Sequence, residues 1–298
     1  MANPPQTYTT DQPVRAASFM VLSAALIAGS TFFAKVAGTW SGDPIHPLQV
    51  SHARFLFAFL PVLLVVITLR PKLQSIHLKL HVARTLFGWT GATLMFAAAA
   101  MIPLADATAL SFLSPIFTML LAAVFLGEKV GSWRWSAVLI SFSGGLILLR
   151  PGGDGLQTGA LLALTAALSM GIEVAIIKRL TGREPPLQIL AINNTIGLCI
   201  ASLVVVAVWQ WPSPGQWAIL ACVGVAMVAA QACFLQAMRS SDASAILPLT
   251  YTVLIFASVY DFLVFSVLPD WVSYLGAGII LTGAGLVTWR EARRRAAA

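Results

Sequence analysis

Several acids and bases in this chain stand where an ionisable side chain is costly, inside or at the mouths of long apolar runs. Such a group in hydrocarbon binds a solute or ion, relays a proton, or pairs with an opposite charge. Glu173 lies between Met170, Gly171 and Ile177 and reads either as the acid of a central cavity or as one half of a structural pair near the cytoplasmic end. Lys35 and Asp261 fall near helix ends, where a long or terminal group can reach water. Arg54, a turn or two into its run, is expected to do the same or to cap a neighbouring helix. Asp106 and Asp242 each head an apolar run, in LADATALSFLSP (Leu104 to Pro115) and SDASAILPLT (Ser241 to Thr250). A carboxylate there accepts orphan N–H groups and meets the positive end of the helix dipole, so both are read as helix caps.

Polar and ring side chains inside the runs are the remaining candidates for contact with a solute: Ser30, Trp89, Phe96, Ser111, Asn193, Gln231 and Tyr251. TLFGWTGATLMF (Thr85 to Phe96) sets Gly88, Gly91 and Ala92 beside Trp89 and Phe96, the mixture of a pocket wall or of a lipid-facing anchor. Asn193, Asn194, Gln231 and Gln236 suit hydrogen bonds across helices. His52 and His81 are expected at the interface. No His/Cys metal cluster, facing carboxylate pair or Ser/His/Asp set is legible, which argues against an enzyme, a metal or a cofactor. Cys199, Cys222 and Cys233 lie in apolar runs without ligand or disulfide spacing and read as buried thiols.

The elements that must position these residues follow from composition. Of 298 residues 58% are hydrophobic and 10% charged, and the mean hydropathy is +0.86. A soluble chain carries about 25% charged residues, so a bilayer is the solvent this composition suits. Runs of about 20 apolar residues, the length that crosses the hydrocarbon, occur ten times: 16–38, 47–69, 79–100, 104–126, 133–150, 158–179, 186–208, 216–237, 244–267 and 271–289. The first is too long, and its polar start too extended, for a cleaved leader. Fifteen of the eighteen Lys and Arg fall on connectors of one side, Arg84 counted among them. Positive charge marks the cytoplasmic side, so both termini are expected there. The net charge of +7 is therefore topological and calls for no nucleic acid.

Five spans per half is an odd number, so similar halves must lie upside down relative to each other. LSAALIAGSTFFAK (Leu22 to Lys35) aligns with LTAALSMGIEVAII (Leu164 to Ile177), which sets Gly29 on Gly171. ADATAL aligns with SDASAI, setting Asp106 on Asp242, and Trp133 to Gly145 aligns more loosely with Trp271 to Gly285. The fold class is thus an all-α membrane protein with ten transmembrane helices in two inverted five-helix repeats, residues 16–150 and 151–289. A cytoplasmic tail of 1–15 and a basic tail of 290–298 flank them. Inverted repeats let one central site face either side in turn. Pro115 and Pro248, in the fourth and ninth spans, each remove an N–H and permit a kink, so they and the paired Gly29 and Gly171 are expected hinges. No ring of pore charge is present, which argues against a channel.

DATALSFLSPIFTMLLAAVFLGEKV followed by W…GGLILL, with GSTFFAK and HARFLFA, resembles the EamA-type repeat of the drug/metabolite transporter superfamily. Two such repeats cover nearly the whole chain. Within the superfamily the chain is similar to amino-acid exporters of the YddG type. The resemblance implies a multi-pass protein of a bacterial-type inner membrane that exports uncharged or aromatic amino acids and related metabolites by alternating access; the oligomeric state stays open, a monomer being one option. Export of drugs or other metabolites, or carriage of nucleotide sugars, is the alternative; the last would need a positively lined cavity, from Lys35 or Arg54. The chain departs from the pattern at Ile27–Ala28, where the family has tryptophan. The LGE closing the fourth span at Glu128 has no match at Val264, with Asp261 a turn earlier.

Overall fold

The computed structural model describes residues 13–40, 42–70, 75–126, 132–149, 157–181, 184–240 and 246–296, and among these every regular element is helical. The helices are α1 (Pro13–Gly38), α2 (Pro47–Leu69), α3 (Leu78–Met101), α4 (Leu104–Ser111), α5 (Ser114–Leu126) and α6 (Ser132–Leu149) in the first half. The second half holds α7 (Thr158–Thr181), α8 (Pro186–Val205), α9 (Pro214–Ser240), α10 (Val253–Phe265) and α11 (Trp271–Ala296). Short 3₁₀ turns at Val206–Val208 and Leu247–Thr252 extend α8 and precede α10. Helices satisfy their own backbone groups, as spanning segments must in hydrocarbon. Six stretches are both long and apolar enough to cross a membrane, and three shorter apolar helices accompany them. With α4 and α5 counted as one span, and the second 3₁₀ turn and α10 as another, each of the ten expected spans is helical over most of its described residues. The last helix runs on to Ala296 instead of stopping at the basic tail; its Arg, Glu and Ala are strong helix formers.

The fourth span is broken, and Pro115 explains where. It offers no N–H to the carbonyl of Ser111, and the chain tightens instead: Phe112 and Leu113 donate to Ala109 and Leu110, at 3.1 and 3.0 Å. The hydroxyls of Thr108 and Ser111 bond back to the carbonyls of Leu104 and Thr108, both at 2.6 Å, a contact that bends helices. In the ninth span a 3₁₀ turn runs from Leu247 to Thr252, with Pro248 as its second residue. The breaks face each other: the rings of Phe112 and Tyr251 meet edge to face with centroids 5.1 Å apart.

Packing repeats across the halves. The first span lies along the eighth and the third along the sixth; the first meets the ninth and the fourth meets the sixth. The second touches the eighth, the third touches the seventh, and the second meets the seventh and the fifth the tenth. Exchanging each span with the one five later maps these contacts onto one another or onto themselves, a pseudo-two-fold arrangement that the contacts of the third span with the first and second do not share. Small residues permit the approach: a Cβ on Gly144 would stand 2.7 Å from the carbonyl of Gly276, across α6 and α11. Along α1 and α9, Ser23 and Ser30 donate to the carbonyls of Ala230 and Val223, both at 2.8 Å.

Candidate solute-binding site

Charged side chains converge where α2, α3, α7 and α8 meet. Arg84, six residues into α3, brings its Nε to 3.5 Å from Oε1 of Glu173 on α7 and donates through Nη1 to the carbonyl of Ile189 on α8, at 3.2 Å. Thr85 beside it donates to Oδ1 of Asn193, at 3.1 Å. Gly88, one turn on, makes the room: a Cβ there would fall 2.7 Å from the Glu173 carboxyl. Arg54 of α2 lies within electrostatic reach of both Glu173 and Arg84, with its guanidinium 4.7 Å above the ring of Phe55. The indole N–H of Trp89 is buried and unpartnered. Glu173 keeps about a fifth of its side-chain surface accessible.

This grouping keeps Glu173 and Asn193 from the sequence candidates, sets Trp89 on the same helix, and separates the rest. Ser30 is fully buried against α9, and Phe96 is core, packed with Ala34, Ala53 and Leu220. Ser111 and Tyr251 stand at the two helix breaks instead, and Gln231 lies half-buried on α9. Arg84 needs a correction. Counted among the cytoplasmic connector charges, it lies inside α3, 9% exposed and bonded to two neighbouring helices. Its place five residues inside the expected 79–100 span was the signal that could have found it.

Lys35 and Asp261 correct a second expectation. They do not snorkel; they are 7% and 1% exposed, and Nζ of Lys35 lies 2.9 and 2.8 Å from the two Asp261 oxygens. The same carboxylate accepts from the backbone N–H of Leu104 at 2.6 Å, and Lys35 also donates to the carbonyl of Ile102, at 3.4 Å. One pair thus ties α1, α10 and the α3–α4 turn together. Asp261, not Asp106, serves the first amide of α4. Asp106 sits in the first turn, behind an N-cap of Pro103, and accepts from the hydroxyl of Ser273 on α11 at 2.9 Å. Asp242 lies outside the described residues. Among the hinge candidates, Gly171 presses α7 onto the start of α5, where a Cβ would stand 2.9 Å from the carbonyl of Ser114. Gly29 faces Tyr260 at an ordinary 3.8 Å, and Pro248 lies in the 3₁₀ turn.

A third knot joins the opposite end of α3 to the α7–α8 connector. Glu184 accepts from the His77 N–H (2.9 Å) and Gln188 (2.7 Å) and pairs with the rings of His77 (3.0 Å) and His81 (2.8 Å). Burial pushes this carboxyl up, and the bonds from His77, His81 and Gln188 outweigh it, leaving it at about 2. His81, in the first turn of α3, is fully buried within this knot. His52 meets Trp209 with ring centroids 5.8 Å apart. Cys199 and Cys222 also differ from expectation, being exposed on the outside of the bundle. A cavity of about 490 Å³ lies between α4, α10 and α11; most of its walls are apolar, such as Leu254, Phe262 and Leu281, with Asp106, Ser258 and Ser273 among them, and none of Arg54, Arg84 and Glu173 lines it.

The sequence model of the EamA-like transporter family matches residues 14–150 and again 157–289. The chain belongs to that family. Among curated relatives it is similar to a riboflavin transporter of Rhizobium johnstonii, 32% identical over 72% of this chain and 71% of the relative. A riboflavin transporter of Vibrio cholerae is 27% identical over 95% of both chains. An S-adenosylmethionine uptake transporter of Rickettsia prowazekii is 26% identical over 86% of this chain and 87% of that one. A crystal structure with a TM-score of 0.60 and 18% identity covers 91% of this chain and 96% of its own, a likeness of fold. The EamA-like transporter is thus a membrane transporter by family, with relatives of near-equal length.

Proposed function

We propose that this EamA-like transporter moves small ring-bearing metabolites, aromatic amino acids among them, across a bacterial inner membrane by alternating access. The supporting observation is the Arg54–Arg84–Glu173 cluster, placed where the second, third, sixth and seventh spans meet, beside the partly buried indole of Trp89. A few polar groups amid apolar walls orient a solute whose ring the walls cover. Each half acts as an inverted five-helix repeat, 16–150 and 151–289, with both termini cytoplasmic, and the facing breaks at Phe112 and Tyr251 let the spans bend as one mouth closes and the other opens.

The sequence resemblance favours export of amino acids. The names of the relatives favour a second reading, uptake of a larger ring compound such as a flavin or an adenosine derivative. Proteoliposomes preloaded with unlabelled tryptophan, phenylalanine, riboflavin or S-adenosylmethionine, and offered the labelled compound outside, test both. Exchange of at least one is expected. Exchange of the amino acids alone selects the first reading, and exchange of riboflavin or S-adenosylmethionine alone the second. No exchange of any would overturn the carrier reading.

A further inference from the structure

The central cluster holds two guanidinium groups and one carboxylate, a net charge of one positive. Arg84 is engaged by Glu173 and by the carbonyl of Ile189. Arg54 is not: its Nε is buried with no hydrogen-bond partner, and among the described residues no carboxylate stands within ion-pair distance of it. A guanidinium cannot shed its proton to relieve this, and an unmatched charge in an apolar interior is strongly unfavourable. Phe55 covers one face of the Arg54 plane, an attraction between cation and ring, and among the described residues no acceptor takes its in-plane N–H groups. These donors suit two parallel bonds to a planar anion.

We propose that Arg54 is the subsite for a carboxylate of the transported molecule, which deepens the carrier reading above and rests on it. One carboxylate brings the cluster to neutrality, whereas a doubly charged phosphate ester would leave an excess negative charge in the same apolar surroundings. The buried indole N–H of Trp89 supplies one more donor on the α3 wall. The carboxylate can belong to a ring-bearing acid or to a zwitterionic amino acid, and the test separates these sources.

Purified protein in liposomes is assayed for uptake of labelled indole-3-acetate, indole-3-acetamide, tryptophan, riboflavin and flavin mononucleotide. Indole-3-acetate is expected to exceed its amide more than tenfold. In Arg54→Gln that ratio falls to about one, and in Arg54→Lys, which keeps the charge without the planar fork, it is intermediate; size-exclusion profiles check folding, and Arg54→Lys carries the test if Arg54→Gln does not fold. Tryptophan above indole-3-acetate assigns the carboxylate to a zwitterion, and the reverse order to a simple acid; both support the subsite. Equal uptake of acid and amide by the unaltered protein, a ratio unchanged in both variants, or flavin mononucleotide as the best compound would overturn it. Riboflavin uptake with no preference for the acid would leave the carrier reading standing and sink this one, whereas no uptake of any compound overturns both.

Discussion

Glu184 shows how much one side chain can organise when burial and hydrogen bonds compete. Its carboxyl is held at about 2 against an ordinary 4.5, so the charged form is favoured in the folded protein. A depressed acid stabilises the fold above its unfolded value, and that contribution is lost as pH falls through the folded one. The window here runs from about pH 4.5 down to about 2. In detergent, the unaltered protein is expected to unfold at a higher temperature than Glu184→Gln at neutral pH, with the gap narrowing across that window. A constant gap would mean the knot does not depend on charge. Gly88 makes a second prediction at this scale. Gly88→Ala drives a methyl into the Glu173 carboxyl, so transport is expected to fall about tenfold or more while the helices stay intact by circular dichroism.

Helices and their ends are the next scale, and here buried pairs decide. Lys35 and Asp261 join α1 and α10 to the amide of Leu104. Removing one partner leaves a buried charge alone, a loss of about 3–5 kcal/mol. Lys35→Met is therefore expected to lower thermal stability sharply, and Lys35→Met with Asp261→Asn to recover much of it, because the double change leaves no charge behind. Equal stability of single and double variants would refute the pair's dependence on charge. The breaks in the fourth and ninth spans make a prediction of a different kind. Pro115→Ala and Pro248→Ala restore a missing N–H, so both are expected to slow exchange with little loss of folded protein; unaltered kinetics in both would count against hinging.

At the scale of the whole molecule, the pairing of spans one with eight and three with six describes two halves that exchange roles. If the halves are inverted, both termini share a side. A cysteine added after Ala298, in a background where Cys199, Cys222 and Cys233 are replaced by serine, is expected to resist an impermeant thiol reagent in intact cells and to react after lysis. Labelling in intact cells would reverse the assigned orientation.

Much of this architecture was legible in the sequence for a plain physical reason. Hydrocarbon imposes a length on every span and helix on every backbone, so apolar runs predict where each spanning helix lies, and Pro115 announces where the fourth span breaks, although the last helix runs past its expected end and α10 starts well after the expected start of its span. The repeated Gly29–Gly171 register pointed to two related halves without any coordinates. What the sequence could not contain was which charges meet. Lys35 and Asp261 are separated by 226 positions, and Arg84, Glu173 and Arg54 arrive from three different helices. Both arginines looked like positive charge near helix ends, and only the packing of α2, α3 and α7 turned them inward. Hydropathy is a property of one run at a time; a binding site is a property of several runs placed side by side.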